Sequence, residues 1–350
     1  MKIISASTIY IFLLLVLLQA CKAPEPMEQD KFRYVVTFSA LEDYPAEVYY
    51  GYFTDSLGKR VAGVPKAGKE SGGWQFDGAE AGQGGSTIPS HFHLVYVAYG
   101  EKKFYEVEGD LPSEKILALF REGYDILDRA KKAWVPSTYD ILTIGAAPGG
   151  VVVIWLSGNH HRREIGRYQA KEVFVDKEDF RQSPNPAESQ QEFFDEYFKI
   201  TVPKETQEKI AKEGIPFGIW DKYRKKYDYR FVTDAYDEKD YLRQVFRINF
   251  NGETEYIRGK ENVAKYKEDS VPYSVLFYFK DYNAEIEFND EETLNAFETL
   301  HSKYPDEKLE VVIKPTFMYE DYKMYVRCKQ EEIELHKYVI VAKWKTRQLE

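Results

Sequence analysis

Four of the six histidines stand in two close pairs, His91-x-His93 and His160-His161. Residues two apart on a strand project from one face, so His91 and His93 present two imidazoles side by side, half of a workable metal site. His160 and His161 could close it if their segments are neighbours. The run Asn159-His160-His161-Arg162-Arg163 is basic, however, and repels cations. The four are read as structural or surface histidines, with no metal and no cofactor expected. Glu106 with Glu108, and Glu285 with Glu287, share strand faces by the same geometry and could imitate a glycosidase pair. Outward acids on any solvated strand give that spacing too. Neither a Gly-x-Ser-x-Gly elbow nor a His-Glu-x-x-His helix occurs, so no catalytic residue is assigned. Gly145-Ala146-Ala147-Pro148-Gly149-Gly150 has the glycines of a phosphate loop, but Val151–Trp155 follows as a strand. Anion binding needs the free N–H groups of a helix start, so this is a hairpin turn. The residues best suited to recognition are Tyr49, Tyr50, Tyr52 and Trp74, whose rings could stack on a sugar or anchor a protein. A strand filling a core with alternate residues would carry the same pattern.

These residues depend on strands read near 32–39, 47–54, 91–99 and 102–107. A helix over 112–132, with Ile116, Leu117, Leu119, Phe120, Tyr124 and Leu127 at helical spacing, is set to face the sheet. Strands follow near 139–146, 150–157 and 165–175. Residues 55–86, rich in Gly, Lys and Glu, read as a long irregular loop of the kind that is functional or mobile. Ser183-Pro184-Asn185-Pro186 breaks the chain, and helical patterns follow as a connector packed between two halves.

The halves rhyme. Phe32-Arg33-Tyr34-Val35-Val36-Thr37 is answered by Tyr229-Arg230-Phe231-Val232-Thr233, the helix at 112–120 by Asp290–Phe297, and Ile165-Gly166-Arg167-Tyr168 by Leu335-His336-Lys337-Tyr338. The fold expected is α+β: two diverged repeats, 31–182 and 225–350, each an antiparallel sheet covered by one helix, joined by a helical connector over 183–224.

The amino terminus carries an address. Lys2, the apolar run from Ile9 to Leu18, and Leu18-Gln19-Ala20-Cys21 have the order of a secretory signal ending in a lipobox. The run is too short for a bilayer-spanning helix, which takes about 18–20 residues. Cleavage before Cys21 removes residues 1–20 and leaves Cys21 as the lipidation site, with diacylglycerol on its sulfur and an acyl chain on its amine. Residues 21–30 become a Pro-rich tether with a reach of about 30 Å. Lys22, rather than Asp, after the anchor favours the outer membrane; the periplasmic and cell-surface faces are both open.

The chain carries 48 basic and 58 acidic side chains and a net charge of −10. It lacks the basic footprint that neutralises phosphates, so nucleic acid is not an expected partner. With Cys21 lipidated, Cys328 has no disulfide partner and reads as a small buried hydrophobe.

Lys103-Phe104-Tyr105, Asp110-Leu111-Pro112-Ser113-Glu114-Lys115-Ile116, Gly149–Gly158 and Glu164-Ile165-Gly166-Arg167-Tyr168, with Trp220, Tyr223-Arg224 and Tyr227 further on, resemble a family of bacterial lipoproteins carrying the domain of unknown function 2931. The resemblance covers about 85 to 230 best. Its motifs are structural and imply no catalytic residue; the lipoprotein context it implies includes immunity proteins that sit beside secreted toxins. The expectation is a membrane-tethered binding protein of the outer envelope, more an interaction protein than an enzyme, engaging a protein or glycan. An immunity or inhibitor role is one version. The alternative is a hydrolase acting on envelope glycan or polymer.

Overall fold

A computed structural model of the chain describes residues 31–80, 85–128, 130–182, 187–235 and 240–346. The leader 1–20, the tether 21–30 and Cys21 lie outside the described residues. Among the described residues, no helix is long and apolar enough to cross a membrane.

Strand formation follows the period-two burial of the sequence. In Lys226–Thr233, Tyr227, Tyr229 and Phe231 point inward at alternate positions. Val151–Gly158 is buried at every position: Val152, Ile154 and Leu156 enter one core, while Val151, Val153 and Trp155 pack on the other side against Trp74 and Trp220.

One ten-stranded sheet runs through both halves of the chain, in the order Tyr338–Lys345, Tyr282–Phe288, Pro272–Tyr278, Gln244–Asn249, Thr254–Arg258, His161–Gln169, Val151–Gly158, Ile141–Ala147, Val35–Ala40 and Ala79–Glu80. The two halves of this sheet join through a single residue pair, Arg162 with Thr254. Over the first half lies a six-stranded sheet ordered Lys171–Val173, Lys103–Asp110, His91–Ala98, Ala46–Thr54 and Arg60–Gly63, with Lys69–Glu70 pairing Ala46–Thr54. Over the second lies a five-stranded sheet ordered Lys267–Ser270, Lys226–Thr233, Leu309–Pro315, Tyr322–Cys328 and Glu331–Leu335. Each facing pair of sheets encloses its own core. Phe38, Ile144 and Ile154 meet Phe53, Phe92 and Leu94 in the first. Val245, Phe277 and Ile286 meet Phe231, Ile313 and Met324 in the second. In both, the opening strand runs parallel to a later one, Val35–Ala40 beside Ile141–Ala147 and Lys226–Thr233 beside Leu309–Pro315. Strands of the facing sheet fill these crossovers, which parallel neighbours require.

The expected α+β architecture, two repeats of one sheet covered by one helix, is therefore incorrect: the chain is mostly β, helices are minor, and sheets cover sheets. Geometry explains the correction. Five strands span about 20 Å, whereas one helix covers about 10 Å. The first helix is also shorter than the apolar spacing implied. Ser113–Glu122 stops at Gly123, which takes a left-handed φ of 57°, and Tyr124–Asp128 pairs with Ala133–Ser137 as a small hairpin. Only Ile116 and Phe120 of this helix are buried. Asp290–Lys303 likewise lends just Thr293, Ala296, Phe297 and Leu300 to the interior.

The connector does not pack between the halves as expected. Gln190–Thr201, started by a Ser189–Glu192 capping box, and Lys204–Glu213 lie on the outer face of the six-stranded sheet. Phe193 and Val202 cover Val97, Tyr99, Phe104 and Phe180 there. Ile219–Tyr223 does reach the junction. Trp220 meets Tyr44 edge-on at 5.6 Å, the Tyr223 hydroxyl donates to Asp290 at 2.6 Å, and Arg224 pairs with Glu164 at 2.6 Å.

Candidate functional site

The connector covers only part of the outer face of the six-stranded sheet. Under it, the buried Glu47 carboxylate accepts from the Tyr99 hydroxyl at 2.7 Å and from Arg181 at 2.6 Å. Beyond it, the face is open. Three rows cross the strands there: Tyr50–Val95–Glu106, Tyr52–His93–Glu108 and Thr54–His91–Asp110.

Register decides which tyrosines reach this face. Val48 pairs with Tyr96 and Tyr50 with Val95, so Tyr49 is an extra, bulged residue. Its ring lies 5.9 Å from Phe180, with the Lys66 ammonium at 5.2 Å. Tyr50 and Tyr52 stand together in the open, ring centroids 5.5 Å apart, and the His93 imidazole closes a triangle at 5.8 and 5.4 Å. Tyr50 is 46% exposed. The Arg60 guanidinium lies 5.5 Å from the Tyr52 ring. His93 Nε2 lies 2.7 Å from Glu106 Oε1, which orients the imidazole; its Nδ1 is buried without a partner among the described residues. His91 Nδ1 lies 3.2 Å from an Asp110 carboxylate oxygen. Three aromatic rings, carboxylate acceptors and one guanidinium thus share one surface. Such a surface can stack against an apolar ring face and exchange hydrogen bonds at its rim.

Of the residues singled out by sequence, Tyr50, Tyr52, His91 and His93 come together. Tyr49 points to the connector side. Trp74 is not a surface residue: it is 2% exposed, packs edge-on to Trp155 at 5.2 Å, and donates through Nε1 to the Ala146 carbonyl at 3.1 Å. Its loop is held by the short strands Arg60–Gly63, Lys69–Glu70 and Ala79–Glu80.

His160 and His161 do not converge with His91 and His93. They sit at the turn between Val151–Gly158 and His161–Gln169, in the other sheet, with Asn159 and His160 both at positive φ. His160 meets Phe246 at 5.5 Å; His161 stacks on Tyr124 at 4.1 Å, where burial, aided by Arg163, pushes its pKa down to about 4. Among the described residues, no three His, Cys, Asp or Glu side chains are placed to hold a metal ion. Glu285 and Glu287 lie on the outer face of the ten-stranded sheet, beside Leu276 and Ser274. The Gly149 turn is a hairpin tip, its N–H donating to the Glu101 carboxylate at 3.0 Å.

Sequence inspection missed a buried charge network beside the junction. Arg247, 2% exposed, donates to Asp269, to Glu255 at 2.6 Å and to the Tyr229 hydroxyl at 2.9 Å. Arg163 and Lys267 reach Glu255 at 2.7 and 2.6 Å. The available signal was Val245-Arg247-Asn249, an inward-facing set in which charge replaces an apolar residue.

These features define a β-sandwich protein with a partly uncovered aromatic sheet face. A profile of the family described as Protein of unknown function (DUF2931) matches residues 22–218, more than half of the chain, and the chain belongs to that family. The matched segment holds the first sandwich, the helices packed on it and the whole Tyr50–His93 face. It ends before Trp220, Tyr223, Arg224 and Tyr227, which the resemblance had included, and the second sandwich lies beyond it. No curated protein and no solved structure matches the chain.

Proposed function

We propose that this protein is a lipid-anchored, outer-envelope binding protein that takes its ligand, a glycan, on the Tyr50–Tyr52–His93 face without catalysing a reaction. The observation carrying this reading is the ring triangle at 5.4–5.8 Å on an exposed surface bordered by Glu106, Glu108 and Asp110. Sugar C–H groups stack on tyrosine faces, and carboxylates accept from sugar hydroxyls. The acids stand on an open sheet face, Glu106 is engaged with His93, and no observation favours the hydrolase alternative.

Calorimetric titration with oligosaccharides cut from the envelope of the source cell tests the face. Tyr52→Ala is expected to weaken binding tenfold or more, about 1.4 kcal/mol, while the unfolding midpoint stays within a few degrees. Undiminished affinity would discard the face as the site. Saturable binding of a protein, but of no oligosaccharide, would move the reading to the inhibitor or immunity version.

Anchoring at Cys21 is tested by fractionation. Cys21→Ser is expected to shift the protein from the membrane to the soluble envelope fraction, because two or three acyl chains supply the stable attachment. Unchanged membrane retention would contradict lipidation there.

A further inference from the structure

The ten-stranded sheet ends on Tyr338–Lys345, which pairs with Tyr282–Phe288 on one side and with no strand on the other among the described residues. An unpaired edge offers a row of N–H and C=O groups to any extended chain. This edge also carries apolar side chains in the open: Val339 is 60% exposed, Val341 47% and Trp344 40%. Val339 and Trp344 stand opposite Glu287 and Asn283, and Val341 is an extra, bulged residue between Ile340 and Ala342. The turn Phe317–Tyr319 adjoins it. Tyr319 stacks on Tyr282 at 4.5 Å, Tyr282 pairs with Lys345, and the Lys343 ammonium donates to the Glu320 carbonyl at 2.6 Å. That turn holds Phe317 and Met318 outward, both 61% exposed, with Met318 and Tyr319 at φ of 56° and 58°. Left-handed backbone is costly for such side chains. An apolar strip, an open backbone edge and a strained turn therefore coincide at one end of the molecule.

Charge selects the occupant. Residues 336–346 carry His336, Lys337, Lys343 and Lys345 and no acid, in a chain of net charge −10. Among the described residues, none of these three ammoniums has a carboxylate within ion-pair distance. A second copy laid along this edge would bring two lysine sets together, which like-charge repulsion opposes. Lys343 and Lys345 stand opposite Ala284 and Tyr282 on one face, whereas Glu287 and Glu285 stand opposite Val339 and Ala342 on the other. The strand drawn to this edge is therefore one with its acids on the lysine face and apolar residues on the Val339 face.

We propose that Tyr338–Lys345 is a docking strand, to which an extended, acidic segment of a partner protein adds by strand pairing, its apolar side chains meeting Val339 and Trp344 and its carboxylates meeting Lys343 and Lys345. Backbone hydrogen bonds supply affinity in this mode, and alternate side chains supply selectivity. The site is independent of the Tyr50–Tyr52 face and lies outside the family-matched segment.

The experiment uses the full chain and two ten-residue peptide libraries. One has Glu at every second position and all residues varied between; the other has Lys in place of Glu. Selected peptides are then bound while amide hydrogen exchange is followed. Acidic-library peptides are expected to bind and to slow exchange of the 338–345 amides at least tenfold. The Lys343→Glu, Lys345→Glu double variant is expected to lose about tenfold in affinity for them. An acidic library without binders, binders that leave 338–345 unprotected, or equal selection from the lysine library would each overturn the assignment. Should the double variant misfold, exchange protection on the unaltered chain decides alone. A dimer sealed through this edge in sedimentation would overturn it in favour of a second copy.

Discussion

Asp269→Ala is expected to lower the free energy of unfolding by about 3–5 kcal/mol at neutral pH, the cost typical of leaving one partner of a buried ion pair uncompensated. Arg247 lies in the second core, packed between inward-facing Val245 and Asn249. Its guanidinium is held by Asp269, Glu255 and the Tyr229 hydroxyl, and its Nε has no hydrogen-bond partner among the described residues. Asp269 also accepts from Asn249 at 2.8 Å. It accepts from the Ser270 N–H at 2.9 Å as well, so removing the carboxylate takes an acceptor from three buried donors at once. Urea unfolding followed by tryptophan fluorescence checks this, and a loss below about 1 kcal/mol would mean that Glu255 alone suffices for Arg247. Arg247→Met combined with Asp269→Leu is expected to recover part of the loss, since apolar replacements of a buried pair are often tolerated.

The same network sets an acid limit. Burial by itself would raise the Asp269 and Glu255 carboxyls, but the Arg247 guanidinium, with Arg163 and Lys267, outweighs it and holds both below the usual carboxylate range. A carboxyl depressed in the folded state stabilises above its unfolded pKa, about 3.9 for Asp and 4.3 for Glu. The contribution is lost as pH falls through the folded value. Stability is therefore expected to drop as pH falls below about 4, and Asp269→Ala is expected to flatten that drop. An acid limb identical in the variant would remove the network as its cause.

Trp155→Ala is expected to cost about 3–5 kcal/mol. The ring is fully buried and sits where the two sandwiches meet. Trp74 packs edge-on at 5.2 Å, and the Arg162 guanidinium lies 4.2 Å from the ring centroid. The indole N–H donates to the Asn251 carbonyl at 3.1 Å, bonding the first half of the chain to the second. The surroundings are shaped to it. A Cβ on Gly145 would come within 2.3 Å of the ring, and one on Gly252 within 3.2 Å. Trp155→Phe keeps most of the volume but orphans a buried carbonyl, a loss of about 1–3 kcal/mol. Scanning calorimetry distinguishes a further consequence. The other ties across the junction include ion pairs and hydrogen bonds, among them Arg163–Glu255 at 2.7 Å, Arg258–Asp125 at 2.9 Å, Arg224–Glu164 at 2.6 Å and the Glu164 N–H to Glu253 at 3.0 Å. With the buried ring between the halves gone, Trp155→Ala is expected to split unfolding into two transitions. A single unshifted transition would show the junction to be held elsewhere.

Local geometry explains which parts of the site were readable in advance. His91 with His93 and Tyr50 with Tyr52 share faces because strand periodicity is two, whatever lies beside the strand. The hairpin at Gly149 followed from the strand after it. Tyr49 escaped because one bulged residue shifts facing, and a bulge depends on the partner strand's register. Trp74 escaped because the aromatic ring that stacks on a ligand also fills a core, and its burial depends on Trp155, which is 81 positions away by number.

Charge balance, the hairpin turn at Gly149 and the shared facing of alternate side chains within a strand belong to the linear chain, because each depends on composition or on neighbours a few residues away. What covers each sheet, whether the two histidine pairs converge, and how Arg247 is neutralised belong to the folded molecule alone. Those outcomes are set by contacts between distant segments. A sheet of five or more strands accepts whatever layer is wide enough to shield its apolar face, and here only another sheet was.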